Sequence, residues 1–463
     1  MLLDFPHAGF ADAALRGSGR GPPEVTVELA HPSTEPLAQR SPVQPAHPRR
    51  WFLRTTPGRI LALGVVLATL GVLSAFAIST TINERQQQLT NVLDHTEPLA
   101  FAAGQLYTTL SVADAAAATA FIAGAEPQPV RQRYRQAITD AAVAVTQASS
   151  GLTDPSLVEA LSRINAQLAV YTGLIEIART NNRMGNPVGS SYLSEASELM
   201  QQRILPDAQR LYEQTSARVD AETTSSATVP APVIVIVAAT VAFGLFAHRW
   251  LTEHTRRRVN LGLVAGGLAF TILIIWVGTA LAISTAGSRA AKNTAAQSLK
   301  TVTGLAITAQ QARADETLSL IRRGDEDVRK RSYYQRVESM HAQLSEYMAN
   351  DDAIARTALA DADQLLTKWR QADDRINDFI KVGDYPAATQ VALGTAENDS
   401  TPAFDKLNNA LSEGIADSRQ RLRGDISSAR RVLSGTTVGG ALLSAGAAVA
   451  VALGLIPRMN EYR

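Results

Sequence analysis

The 463-residue chain contains no cysteine, and only 5% of its residues are aromatic. The absence of cysteine excludes disulfides, thiolate metal sites and cysteine nucleophiles. The shortage of aromatic residues, with abundant Ala, Ser, Thr and Gln, favours long helices over sheets. Charge is missing from four stretches, each longer than the roughly 20 apolar residues that span a bilayer: 60–83, 223–247, 259–288 and 432–457. The sequence therefore predicts an integral membrane protein and excludes a soluble globular one.

Signatures of catalysis and of energised transport are missing as well. The sequence has no P-loop, nucleophile elbow or metal-ligand pair. No charged residue lies within the four stretches, whereas ion-coupled transporters usually need ionisable groups in the membrane. His95-Thr96-Glu97-Pro98 faintly resembles a phospho-accepting histidine box, but no ATP-binding domain follows it, so we interpret it as structural. We therefore expect a protein that is not an enzyme and binds no metal or cofactor.

The distribution of charge predicts how the chain crosses the membrane. Three segments together hold 13 arginines against 7 acidic residues: 1–59, 248–258 and 457–463. Basic residues next to the ends of spans stay in the cytoplasm. Arg256, Arg257 and Arg258 form such a cluster in the short central segment. Both termini and this loop are thus predicted to be cytoplasmic, in a multi-pass protein of the plasma membrane, with the two long segments outside.

These assignments divide the chain into nine segments. They are a disordered cytoplasmic tail (1–58), a first span (59–83), a first extracytoplasmic bundle (84–228), a second span (229–247), a basic loop (248–259), a third span (260–285), a second bundle (286–434), a fourth span (435–456) and a cytoplasmic C-terminus (457–463). The tail is rich in Pro, Gly and Ala with few bulky residues, which predicts disorder. Ala75-Phe76-Ala77 resembles a signal-peptide cleavage site. Because the basic region before it is unusually long for a signal peptide, we expect a permanent anchor instead.

The two halves of the chain share landmarks in the same order. They are Ala-Ile-Ser-Thr at 77–80 and 282–285, Ala-Asp at 113–114 and 314–315, glycine at 185 and 383, and proline at 206 and 402. The offset between matching landmarks falls steadily along the chain, as small deletions in a second copy would leave it. We interpret the chain as a tandem duplication; the alternative is convergent composition of helical segments.

Each long segment has an apolar seam typical of helical bundles. In the first half, apolar residues alternate at heptad spacing: Leu157, Leu161, Ile164, Leu168, Tyr171, Ile175 and Ala178. Thr153-Asp154-Pro155 before the seam predicts an N-cap and a first-turn proline. The corresponding seam in the second half is Ala355, Ala358, Ala362, Leu365, Trp369, Ala372, Ile376 and Phe379. With Gly- and Pro-containing breaks, the pattern predicts an all-α protein with four transmembrane helices and two extracytoplasmic four-helix up-down bundles in tandem repeat.

The last outer helix is predicted to run without interruption into the fourth span. Its apolar stripe has an 11-residue period, which keeps it nearly straight along the helix: Phe404, Leu407, Leu411, Ile415, Ser418, Leu422, Ile426, Ala429 and Leu433. A rigid rod of this kind can transmit a piston or rotation movement, with Gly435 as a swivel; a purely structural helix is the alternative. In the first half, Pro230 and Pro232 break the corresponding helix from its span.

Few residues are candidates for contacts with other molecules. Asp114 and Asp315 occupy matching positions in the two halves and are candidate ligand-binding residues, with an exposed or capping role as the alternative. Candidate contacts for a cytoplasmic partner are Arg256, Arg257, Arg258 and Arg458. Small residues at four-residue intervals in the spans, such as Gly262 and Gly266, let helices approach closely. They allow a packed four-span bundle or a homodimer.

The layout of residues 50–463 resembles the GlnX family of actinobacterial membrane proteins. The resemblance rests on two tandem copies of span, four-helix extracellular bundle and span, with a Pro-rich inside tail and the ending Arg-Met-Asn-Glu-Tyr-Arg at 458–463. It implies a role in amino-acid sensing. In that family the outer domains engage an extracytoplasmic amino-acid-binding lipoprotein, GlnH, and the signal passes to the cytoplasmic Ser/Thr kinase PknG, which controls glutamate metabolism and the tricarboxylic acid cycle. The bundles also resemble the ligand domains of chemoreceptors, but the chemoreceptor signalling hairpin is missing.

The leading hypothesis is therefore a non-enzymatic transmembrane signal transducer. The expected partners are the lipid bilayer, the extracytoplasmic solute-binding lipoprotein and the cytoplasmic Ser/Thr kinase, and no nucleic acid is expected. A structural scaffold for cell-envelope or secretion machinery and a transport subunit are the alternatives.

Overall fold

The computed structural model describes residues 56–123, 128–152, 154–226, 231–255, 261–320 and 326–460, and this part of the chain contains helices and no strand. The helices of the first half are α1 (Thr56–Asn91), α2 (Glu97–Ile122), α3 (Gln128–Gly151), α4 (Pro155–Arg183), α5 (Val188–Leu199), α6 (Leu205–Ser226) and α7 (Ala231–Thr255). Those of the second half are α8 (Leu261–Ala290), α9 (Gln297–Ser319), α10 (Glu326–Ala349), α11 (Ala362–Lys381), α12 (Tyr385–Leu393) and α13 (Ser400–Asn460).

Four helical stretches, which include α1, α7, α8 and α13, are long and apolar enough to cross a membrane. The predicted all-α membrane fold is thereby confirmed. The predicted tail as far as residue 55, and the cluster Arg256, Arg257 and Arg258, lie outside the described residues.

Three pairs of consecutive helices are joined by π-helical turns instead of loops. Val92–Thr96 joins α1 to α2, Ala291–Ala296 joins α8 to α9, and Met200–Ile204 joins α5 to α6. The first two turns lie at matching places in the two halves, where a spanning helix enters its bundle. π-turns inside α-helices occur frequently at functional sites. The first and third spans therefore continue directly into the bundles.

The helix ends follow local sequence signals. Asp154 caps α4, and its carboxylate accepts a hydrogen bond from the Ser156 backbone N–H at 2.9 Å. Pro155 occupies the first turn, so the predicted N-cap and first-turn proline are confirmed. Gly185 and Gly383 follow α4 and α11 with φ of 71° and 77°. Glycine adopts this left-handed conformation without the steric cost of a Cβ atom.

The core of the first bundle contains the predicted seam of α4, and all seven residues of that seam are buried. They pack in one cluster with Leu106 and Leu110 of α2 and Leu211 of α6. Ile307, on α9 of the second half, belongs to the same cluster. The two bundles therefore pack directly against each other.

The core of the second bundle departs from the predicted seam. Leu359 and Leu366 are buried, whereas the predicted residues Ala358, Leu365 and Phe379 are only half-buried. The expected seam assumed one continuous helix, but α11 begins only at Ala362, after the 3₁₀ turn Ile354–Arg356. This change of helical pitch shifts the residues that face the core. The other predicted residues are buried: Ala355, Ala362, Trp369, Ala372 and Ile376.

The helix α13 runs from the second bundle through the fourth span without a break. Its predicted stripe is buried throughout, except for Ile415, which is half-buried. α13 packs against α8 of its own half and against α1 of the first half. Gly435 lies inside this continuous helix. The rod predicted from the sequence is therefore present and contacts both halves.

Two glycines allow α8 and α13 to pack closely. A Cβ atom added to Gly266 would lie 2.6 Å from Val451, and one added to Gly439 would lie 2.1 Å from the Trp276 ring. Both distances are shorter than non-bonded carbon atoms adopt, so a larger residue at either position would displace the facing side chain.

Candidate functional site

The first bundle contains a buried carboxylate that is bonded to neutral donors. Asp114 on α2 is 2% exposed. Its Oδ1 accepts a hydrogen bond from the Tyr171 hydroxyl at 3.3 Å, and its Oδ2 accepts from Ser197 Oγ at 2.9 Å and from Gln201 Nε2 at 3.0 Å. Gln201 belongs to the π-turn Met200–Ile204, and Tyr171 belongs to the seam of α4. Asp114 thus ties three segments of the bundle together.

Burial raises the pKa of Asp114 to about 6. Desolvation is the main cause, because an apolar interior disfavours the charged form. The hydrogen bonds from Gln201, Ser197 and Tyr171 and the positive charge of Arg329 act in the opposite direction. The carboxyl group can therefore change its charge near physiological pH, which few acidic side chains do.

The second bundle has its own buried carboxylate, which is paired with an arginine. Glu316 on α9 is 2% exposed and accepts hydrogen bonds from Arg313 Nη1 and Ser400 Oγ. Trp369 Nε1 also donates to it, at 3.1 Å. Trp369 holds the place in the second seam that Tyr171 holds in the first. The two bundles therefore repeat a buried acid beside an aromatic residue, and of Asp114 and Glu316 only Glu316 forms an ion pair with an arginine in the described part of the chain.

Asp315, the other candidate from the sequence, has different surroundings from Asp114. It is half-buried, and its Oδ2 accepts a hydrogen bond from Arg336 Nε at 2.9 Å. Arg336 also donates to Gln311, whose Nε2 donates to the Tyr107 hydroxyl of the first bundle at 2.6 Å. The residue that contacts the matching aromatic side chain is Glu316, so the expected equivalence of Asp114 and Asp315 is not found. Asp315 instead belongs to a polar chain between the bundles.

A buried ionic contact between the halves involves Glu97. This residue follows the π-turn Val92–Thr96 and is 1% exposed. Its Oε1 accepts a hydrogen bond from Arg419 Nε at 2.6 Å, and its Oε2 accepts from Arg423 Nη1. Arg423 Nη1 also donates to the Leu93 carbonyl at 3.0 Å. We call Glu97, Arg419 and Arg423 the clamp. It joins the point where the first spanning helix enters its bundle to the rod α13.

The clamp is supported by neighbouring contacts. The Arg419 guanidinium lies 3.6 Å from the centre of the Phe101 ring, a cation–π contact. Next to Glu97, the Thr96 hydroxyl donates to Glu222 of α6 at 2.8 Å. The π-turn is thus held on one side by α6 and on the other by α13.

Sequence reasoning missed the clamp. His95-Thr96-Glu97-Pro98 was interpreted as structural, and no function was assigned to Arg419 or Arg423. The available signal was the spacing of Arg419 and Arg423, four residues apart and therefore on one face of a helix. The acid that these arginines face lies in the other half of the chain, so local patterns do not identify it. Of the candidate cytoplasmic contacts, Arg458 lies on α13 close to its end.

Comparisons with known proteins concern the first bundle. Residues 88–224 match the family described as the actinobacterial sensor domain. This range begins shortly before the π-turn of the clamp and ends within α6, and therefore includes Glu97 and Asp114. No curated protein and no solved structure matches the chain. The match to this actinobacterial family indicates a sensing or signalling role for the chain.

Proposed function

We propose that this chain is a transmembrane signal transducer without enzymatic activity, in which the outer bundles sense a stimulus and α13 relays it across the membrane. The clamp carries this proposal, because it couples the first bundle, which resembles a sensor domain, to a helix that continues through a span. A rearrangement of the first bundle that moves the π-turn Val92–Thr96 would move Glu97, and with it the two arginines of α13.

The relay needs two arrangements of the bundles whose equilibrium a stimulus can shift. A stimulus shifts that equilibrium only to the extent that it binds one arrangement more tightly than the other. The buried acid of the first bundle is a further point at which the balance can change, because protonation of Asp114 removes a charge from the interior. The clamp then transmits the change to the second half.

The finer form of the proposal follows the resemblance to the GlnX family. The outer bundles would engage an amino-acid-binding lipoprotein. The termini and the loop containing Arg256, Arg257 and Arg258 would lie in the cytoplasm, where a Ser/Thr kinase controlling glutamate, nitrogen and central carbon metabolism would receive the signal. A tandem origin of the two halves is supported by the matching π-turns and by the left-handed glycines Gly185 and Gly383.

Affinity capture of the gently solubilised protein from its native membranes, with partners identified by mass spectrometry, tests this proposal. We expect the wild type to recover a solute-binding lipoprotein together with a Ser/Thr kinase. Glu97→Gln should keep the lipoprotein and lose the effect of the stimulus on the kinase, whereas Glu213→Gln, on the exposed face of α6, should behave as wild type. Recovery of envelope-synthesis or secretion proteins in place of both partners would support a scaffold and overturn the relay.

A cavity among the four spans bears on the alternative of a transport subunit. It has a volume of about 450 Å³ and is lined mainly by small and apolar residues, with hydroxyl groups from Thr240, Thr271 and Ser444. Its described lining residues include His248 but no Asp, Glu, Lys or Arg, so no acidic or strongly basic side chain is present there for an ion pathway. Flux of a labelled substrate in proteoliposomes would support the transport alternative, and its absence would favour the transducer.

A further inference from the structure

A cleft lies between the two bundles. Along α2, it is farther from the membrane spans than the clamp is. Its cavity volume is about 140 Å³. One wall is apolar and belongs to α2 of the first bundle, with Val112, Ala115 and Ala116. The opposite wall belongs to α9 and α13 of the second bundle and includes Arg313 and Phe404. Anything bound in the cleft would touch both bundles.

The polar wall contains a buried guanidinium group that has donors to spare. Arg313 is 5% exposed. Its Nη1 donates to Glu316 and, at 2.6 Å, to Ser400 Oγ, and its Nη2 donates to Thr401 Oγ1 at 2.8 Å. A guanidinium has five N–H donors, so two of them donate to no described residue. Such a fork matches the geometry of a carboxylate.

The rim of the cleft contains an ion pair that also crosses between the bundles. Arg133 Nη2 and Nη1 donate to the two oxygens of Asp405, at 2.7 and 3.1 Å. The side chains of both residues are partly exposed, at 43% and 36%. Asp405 therefore balances the charge of Arg133 and Glu316 balances that of Arg313, and the two remaining Arg313 donors are what would select a carboxylate in the cleft.

The size of the cavity limits the ligand. A protein cavity of about 150 Å³ holds one benzene molecule, so a volume of about 140 Å³ suits a molecule with roughly six to eight non-hydrogen atoms. The apolar wall would cover the methylene groups of a short chain, one carboxylate group would face Arg313, and a second one, where the ligand has it, would face Arg133 at the rim.

We propose that this cleft binds a small carboxylate, held by Arg313 of the second bundle and by Arg133, Val112 and Ala115 of the first. Binding would strengthen the association of the two bundles, because the walls come from different bundles. The consequence for signalling rests on the function proposed above, whereas binding itself does not.

Calorimetric titration of the full-length protein in detergent tests the proposal, with succinate as the anionic probe and succinamide as its uncharged counterpart of similar shape. We expect saturable binding of succinate and affinity for succinamide at least about tenfold lower. Equal affinity for the two probes, or no saturable binding of succinate, would overturn the proposal.

Substitutions of residues that line the cleft test whether succinate binds there. Ala115→Phe should fill the cavity and abolish succinate binding, whereas the matched variant Ala142→Phe, on the exposed face of α3, should bind as wild type. If Ala115→Phe does not fold, variants of the partly exposed rim test the site instead. Arg133→Gln should weaken succinate binding by about tenfold, and Asp405→Asn should tighten it, because the two substitutions change the rim charge in opposite directions. A change in the same direction for both rim variants would contradict a charge-selective site.

The two proposals fail in different ways. Loss of the kinase relay in a protein that still binds succinate would remove the proposed function and leave the cleft as a binding site. An intact relay in a protein that does not bind succinate would overturn the cleft alone.

Discussion

Replacement of Glu97 by glutamine should loosen the association of the two bundles. The Glu97 side chain is 2% exposed and accepts hydrogen bonds from Arg419 and Arg423, whose side chains are 28% and 40% exposed. Removing one partner of a fully buried ion pair costs about 3–5 kcal/mol. Here the arginines are partly solvated and can regain water, so screening lowers the expected cost to about 2 kcal/mol. That value corresponds to a factor of about 30 in the equilibrium between associated and separated bundles.

The absence of cysteine makes this shift measurable by spin labelling, since two introduced cysteines are the only labelling sites. Thr146 on α3 and Ser339 on α10 are exposed and belong to different bundles. Double electron–electron resonance should show one narrow distance distribution in the wild type and a broader one in Glu97→Gln. Glu213→Gln should reproduce the wild type, because Glu213 is exposed and accepts a hydrogen bond from Gln209 of the same helix. An unchanged distribution in Glu97→Gln would refute the reasoning that the clamp holds the bundles together.

Three other changes should have measurable effects. The pKa of Asp114 is raised in the folded protein from 3.8 to about 6, so its contribution to stability should fall by about 3 kcal/mol as pH rises from about 4 to 6. The free energy of unfolding of Asp114→Asn should lack this pH-dependent decrease. Identical pH profiles for the variant and the wild type would contradict the prediction. Gly439→Ala should displace the Trp276 ring from its packing against α13 and lower the midpoint of thermal unfolding, whereas Gly435→Ala on the same helix, where a Cβ has nothing within 4 Å, should not. Leu422→Ala should destabilise the packing of α13 by about 2–5 kcal/mol and weaken the relay, because this leucine is 1% exposed; a folded variant with the wild-type melting temperature would count against the buried stripe.

The sequence predicted the features of the fold that depend on residues close together in the chain. The seam of α4 repeats at heptad spacing, and the cap of Asp154 needs only the next two residues, so both were predictable. The prediction of the second seam was wrong at Leu359 and Leu366, because a 3₁₀ turn changes the helical pitch before α11. No residue type marks such a turn reliably.

The candidate site was predictable only in part. Asp114 was a candidate because Asp315 occupies the matching position in the second half, but its contact with Gln201 depends on a π-turn that the sequence does not mark. Glu97 and Arg419 are 322 residues apart, and their contact exists only because the two halves pack together. Pairings of this kind follow from tertiary packing, not from the residues nearby in the chain.

The most direct test of the account is whether breaking the clamp changes the far ends of the spanning helices. Spin labels at Arg249 on α7 and Leu453 on α13, which are both exposed, would report the distance between the two halves at the ends distant from the bundles. The account predicts that Glu97→Gln shifts or broadens this distance relative to the wild type and to Glu213→Gln. An identical distance in all three proteins, with the bundles shown to have separated in Glu97→Gln, would contradict a relay through α13.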